Sequence, residues 1–116
     1  MFKFEELKVY QRSLDIIDDI YNLTEKFPKK EMFVLTSQLL RAVNSIALNI
    51  AEGANSTNKV FNNHLRIAND SLKECIVCLT IARRRKYIST EDDTKLRTQF
   101  LVVAKMITNL KKYLNK

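Results

Sequence analysis

Apolar residues recur along this chain at alternating spacings of three and four in four separate stretches, the repeat of helices that each bury a stripe. The first stretch predicts a helix over about residues 5–26. Leu7, Tyr10, Leu14, Ile17, Tyr21 and Thr24 form its seam, with a second stripe of Val9, Ile16, Ile20, Leu23 and Phe27 beside it. Pro28 ends it, because proline disfavours helical geometry at Phe27 and supplies no amide hydrogen. The second helix, about 30–52, is too apolar to hide one face only. Met32, Leu35, Leu39, Ala42 and Ile46 make one seam, and Phe33, Leu40, Val43, Ala47 and Ile50 another about 100° around. Gly53 suits its C′ position, where a left-handed residue commonly stops a helix.

Asn55, Ser56, Thr57 and Asn58 offer caps for a third helix, about 57–86. Its seam of Phe61, Leu65, Ala68, Leu72, Cys75, Leu79 and Ala82 has no gap. Ser89 or Thr90 caps the fourth, about 90–114, with Glu91, Asp92 and Asp93 in the first turn, where the helix dipole favours carboxylates. Leu96, Phe100, Val103, Ile107, Leu110 and Leu114 complete it. Four long helices with short connections predict an all-α fold, one antiparallel up-and-down four-helix bundle over residues 1–116.

Packing four helices uses one wide stripe from each, and the first two helices carry two. Val9, Ile16, Ile20, Phe33, Leu40, Val43, Ala47 and Ile50 are therefore expected to meet a second copy, since contiguous apolar surface is rarely left in water; the alternative is an unusually broad core within one chain, with Tyr and Met at its margins. The polar thread of the second helix, Gln38, Arg41, Ser45, Asn49 and Glu52, sets Arg41 and Glu52 among apolar neighbours. Paired charges fixing helix register or a contact between subunits are expected there, ahead of a ligand site.

At 116 residues the chain can bury roughly 65% of its unfolded surface without a metal or disulfide. One glycine and one proline leave little room for hairpins or phosphate-cradling loops. No apolar run exceeds five residues, far below the ~20 that cross a bilayer, and the start of the chain has no apolar signal core. Two thiols then fit a reducing cytoplasm. Cys75 and Cys78 form a C-x-x-C without the second pair that a zinc site needs, and lie mid-helix among apolar residues, as buried thiols do. His64 has no nucleophile motif to serve, and Phe61 stands where a di-metal Glu-x-x-His unit would need its glutamate. Neither an enzyme nor a cofactor is expected.

Charge is what points to a partner. Residues 1–58 balance to −1, with seven Lys/Arg against eight Asp/Glu, while residues 59–116 carry thirteen against five. Arg83, Arg84, Arg85 and Lys86 are the densest run. One or two cations would satisfy a helix C-terminus; four fan out over a wide arc, with Tyr87 beside them as a possible stacking face. Lys111 and Lys112 extend the basic surface on the fourth helix. These six residues are the candidate phosphate contacts, and repetition in an oligomer would strengthen their field.

The segments FEELKVYQ (4–11), IYNLTEKFP (20–28), LTSQLLRAVNSIALNIAEG (35–53) and FNNHLRIANDSLKE (61–74) together resemble the 23S rRNA intervening-sequence proteins. That four-helix-bundle family includes the accessory variability proteins of diversity-generating retroelements. The likeness spans about residues 4–88, and NIAEG (49–53) closes its most specific block. It implies a ring-shaped homopentamer. In one branch the protein is encoded in a sequence excised from rRNA; in the other a basic pentamer binds nucleic acid and engages a reverse transcriptase. Tyr10 stands where the family often has tryptophan, Leu40-Arg41 where it often has paired arginines, and Asn55-Ser56 where a basic residue is frequent. The basic load lies instead at Arg83–Lys86 and on the fourth helix.

Overall fold

The computed structural model describes residues 1–116, and every regular element in it is helical. Helix α1 runs Lys8–Thr24, α2 Leu35–Ala54, α3 Asn58–Arg84 and α4 Thr90–Leu114. Short 3₁₀ turns at Lys3–Glu6 and Lys29–Glu31 precede α1 and α2. Each helix packs on two neighbours, in the order α1, α2, α3, α4 and back to α1. The result is a four-helix bundle of 44 × 23 × 22 Å, its length set by the 27 residues of α3 at about 1.5 Å each.

The α3 and α4 seams lie where their spacing predicts. All seven α3 seam residues are buried, as are Leu96, Phe100, Val103 and Ile107 on α4. Thr57 and Ser89 cap the two helices, accepting hydrogen bonds from the amides of Val60 and Asp92. The turn that ends α3 is a Schellman motif. The Tyr87 amide donates to the Ala82 carbonyl and the Lys86 amide to that of Arg83, both at 2.9 Å, with Lys86 left-handed at φ 65°.

Helix α1 faces the other way. Val9, Ile16, Ile20, Leu23 and Phe27 are buried, whereas Leu14 and Tyr21 of the expected seam are exposed. Ser13 explains the reversal, because it fills the gap between Val9 and Ile16 and completes a regular spacing of four and three. It is buried, and its hydroxyl donates to the Val9 carbonyl at 2.7 Å. The stripe with Tyr10 and Tyr21 keeps its hydroxyls near water; that of Tyr21 accepts from Asn44 Nδ2 at 3.0 Å.

Helix α2 starts five residues later than its apolar pattern suggests. No capping side chain precedes Met32, and the turn is held instead by Glu31, which accepts from the Tyr87 hydroxyl at 2.7 Å. Met32, Phe33 and Val34 are left exposed outside the helix. Gly53 is not a left-handed stop. It lies inside α2, buried, and an added Cβ there would stand 2.8 Å from His64 Cβ and 2.9 Å from Phe61 Cδ1. Its service is the close approach of α2 to α3.

Both α2 stripes are consumed within one chain, because α2 packs on α1 and α3 together. Of the residues expected to meet another copy, Val9, Ile16, Ile20, Val43, Ala47 and Ile50 are buried in the chain's own interior. Leu40 is half-buried and only Phe33 stands fully clear. Besides exposed residues such as Met32, Phe33, Val77 and Leu101, apolar surface remains in a groove of about 280 Å³ on the outer α1–α2 face, lined by Phe4, Tyr10, Leu14, Ile17, Leu48 and Ala51 among others. No helix is long and apolar enough to cross a membrane.

Candidate nucleic-acid interface

The up-and-down topology divides the six candidate cations between two poles. Arg83, Arg84, Arg85 and Lys86 sit where α3 ends, next to the α1–α2 turn. Lys111 and Lys112 sit where α4 ends, beside the start of α3, where Asn58 Nδ2 donates to the Leu114 carbonyl at 3.3 Å. The two groups are about 30–40 Å apart along the bundle. One copy cannot present them as a continuous patch.

At the first pole the four cations are not alike. Asp93 is buried, and Arg97 Nε donates to both of its carboxylate oxygens at 3.0 Å. The Arg97 guanidinium also donates to the Thr80 hydroxyl. Arg83 completes this group, with Nη1 3.6 Å from Asp93 Oδ2. Its charge therefore answers an internal carboxylate, and its first task is to fix the start of α4 against α3. Arg84, Arg85 and Lys86 are exposed and have no ion-pair partner. Ile81, Arg84 and Arg85 line a shallow hollow there.

Tyr87 is not a free stacking face. Its ring packs on Phe27 with centroids 5.7 Å apart, and its hydroxyl is committed to Glu31, a bond that raises its pKa above the usual phenol value. Nearby, Lys26 Nζ donates to Asp92 Oδ2 at 2.9 Å, joining the turn after α1 to α4 and holding that carboxyl below its ordinary range.

At the second pole Lys111 faces an open groove shared with Lys59, Asn62, Asn63, Arg66 and Asn115. Lys59 and Arg66 were not singled out by the sequence pattern. Following the antiparallel chain would have found them, since the first turns of α3 must lie beside the last turns of α4. Arg66 is partly engaged, donating to Asn63 Oδ1 at 3.0 Å and to Asp70 at 3.4 Å. Lys59, Lys111 and Lys112 have no carboxylate partner.

The polar thread of α2 lies along α3. Ser71 donates to Ser45 Oγ at 2.9 Å, Gln38 Nε2 to Glu74 at 3.3 Å, and His64 Nδ1 lies 3.0 Å from Asn49 Oδ1. These pairs fix the register of the two helices. Arg41 and Glu52 are exposed, not embedded: Arg41 has no ion-pair partner, and Glu52 is 3.9 Å from His64. Cys75 and Cys78 are free and buried. Burial pushes the Cys78 thiol up to about 11 and that of Cys75 further still, so neither is a thiolate near neutrality.

Comparison with known proteins follows the same lines. The family model for 23S rRNA-intervening sequence proteins matches residues 5–109, carrying the likeness well into α4. No curated protein matches the chain. The fold is similar to the crystal structure of a protein of unknown function from the S23 ribosomal protein family of Bacteroides thetaiotaomicron. The TM-score is 0.82 at 27% identity, over 90% of this chain and 98% of that one. Neither description names an enzymatic activity. With residues 5–109 covered by its model, this chain belongs to the 23S rRNA-intervening sequence protein family.

Proposed function

We propose that this chain is a non-catalytic bundle that self-associates, as a homopentamer, and binds RNA or DNA through phosphate contacts. The observation that carries the binding is the exposed, unpaired trio of Arg84, Arg85 and Lys86. The groove at Lys111 supplies a second phosphate-sized basic surface at the other pole. Arg and Lys contacts to phosphate give affinity without base readout, so binding follows strand charge rather than sequence. The apolar groove on the outer α1–α2 face supports the self-association. The family's description, which refers to 23S rRNA, is consistent with an RNA partner.

The test is a titration of fluorescent hairpin RNA and duplex DNA at two salt concentrations. Arg84→Ala with Arg85→Ala is expected to weaken binding to every sequence alike and to flatten the salt slope by about two phosphate contacts' worth. Arg83 is left intact, because removing it also leaves Asp93 short of a partner. No binding by the wild-type protein at low salt would overturn this reading. Light scattering is expected to give five times the 13.6 kDa chain mass; a 13.6 kDa species at micromolar concentration removes the oligomer. The same groove supports a second reading, a scaffold that recruits a protein such as a reverse transcriptase. Retention of that protein by a chain that binds no nucleic acid would favour it.

A further inference from the structure

The aromatic ring that stands free at the Arg84–Lys86 pole is Phe33. It is 88% exposed, at the centre of the Met32–Val34 turn, and takes no part in the α1–α2 groove. The Glu31–Tyr87 hydrogen bond ties this turn to the one following α3, so Phe33 shares a pole with Arg84, Arg85, Lys86, Lys29 and Lys30. None of those five cations has an ion-pair partner. Three of the carboxylates there are occupied: Asp92 by Lys26, Asp93 by Arg97 and Arg83, and Glu31 by Tyr87. Glu25 and Glu91 remain without a partner.

A duplex hides its base faces in its own stack and offers such a pole phosphates alone. A single strand offers phosphates together with unstacked bases, and every base has a face on which an aromatic ring can stack. An apolar tip of three residues is also a poor lipid anchor, since even a full acyl chain binds membranes only marginally. We propose that this pole binds single-stranded nucleic acid, with Phe33 stacking on a base while Arg84 and Arg85 hold the flanking phosphates. The proposal rests on the nucleic-acid reading above and names the form of strand it selects.

The chain has no tryptophan, so Phe33→Trp places a single fluorescent reporter in the proposed contact. Titration with oligo-dT is expected to quench its emission, and a duplex of equal length is not. Phe33→Ala is expected to weaken oligo-dT binding about tenfold and leave duplex affinity unchanged, whereas Arg84→Ala with Arg85→Ala weakens both. Equal affinity of wild type and Phe33→Ala for oligo-dT overturns the stacking while leaving the phosphate reading standing. Failure of the wild type to bind either form at low salt sinks both. Emission that responds only to phosphatidylserine vesicles, or a Phe33→Ala protein of altered sedimentation mass, reassigns the ring to lipid or to self-contact and overturns the proposal.

Discussion

Helix α3 is bound to α2 and to α4 by different chemistry. Along α2 the polar contacts are mostly between uncharged groups, Ser45 with Ser71 and Asn49 with His64, and Gly53 lets the backbones close to a distance that admits no extra carbon. Helix α4 is held by charge: Asp93 to Arg83 of α3, with Arg97 of α4 itself bridging Asp93 to Thr80 of α3, and Asp92 to Lys26 in the turn after α1. Its seam with α1 is also less filled. A hollow of about 240 Å³ lies among Asp19, Leu23, Lys26, Asp92 and Leu96, and another of about 130 Å³ beside Ile16, Gln99 and Val103. The α2–α3 pair is thus the closely packed half, sensitive to added volume, and α4 is the half sensitive to removed charge.

The largest effect is expected where the charge is buried. Asp93→Asn keeps the shape but leaves Arg97 and Arg83 without a counter-ion. Breaking a buried pair from one side costs about 3–5 kcal/mol; Arg97 keeps about a third of its exposure, so about 2–3 kcal/mol is expected. Urea unfolding of the variant measures it. A loss below about 0.5 kcal/mol would mean that α4 is held by its apolar seam alone.

Gly53→Ala probes the other half. The new methyl meets His64 Cβ, an atom fixed to the α3 backbone, so the helices must separate. Overpacking of this kind costs about 1–3 kcal/mol, and alanine's better helix propensity returns up to about 1, leaving a net loss of about 1–2 kcal/mol. Gln99→Met, which adds apolar volume beside a hollow, is expected to change stability by no more than about 0.5 kcal/mol. Equal effects at the two positions would erase the distinction between a filled and a loose seam.

What the sequence could convey follows from how each feature is encoded. The α3 seam from Phe61 to Ala82 is unbroken, so its period alone names the buried face. In α1 the seam passes through Ser13, and a serine bonded to its own helix carries no apolar signal; the stripe through Tyr10 and Leu14 was the more regular pattern. The second stripes were legible as apolar, and a broad core within one chain was the alternative to a second copy; only the packing of α2 on α1 and α3 together decides where they are buried. Gly53 announced a special backbone position, yet whether that meant a turn or a close approach depended on what lay opposite, Phe61 and His64. The basic residues were visible one by one. Their division between poles was a matter of topology, and the internal duty of Arg83 required the position of Asp93.

The smallest effect separates the halves by pH. Lys26 is the largest cause of the lowered Asp92 carboxyl, and unfolding returns that carboxyl to its ordinary value near 3.9. The unfolded chain therefore takes up a proton at higher pH than the folded one. The pair's contribution is full above about pH 5 and is lost as pH falls through the folded value. Both side chains keep much of their exposure, so the amount is about 0.2–1 kcal/mol, and salt reduces it. Lys26→Met is expected to lower stability by that amount at pH 7 and by progressively less towards pH 3. Urea midpoints for both proteins across that range measure the convergence. A constant gap would mean that Lys26 stabilises through its aliphatic stem against the hollow it shares with Leu23 and Leu96, and that α4 meets α1 by contact rather than by charge.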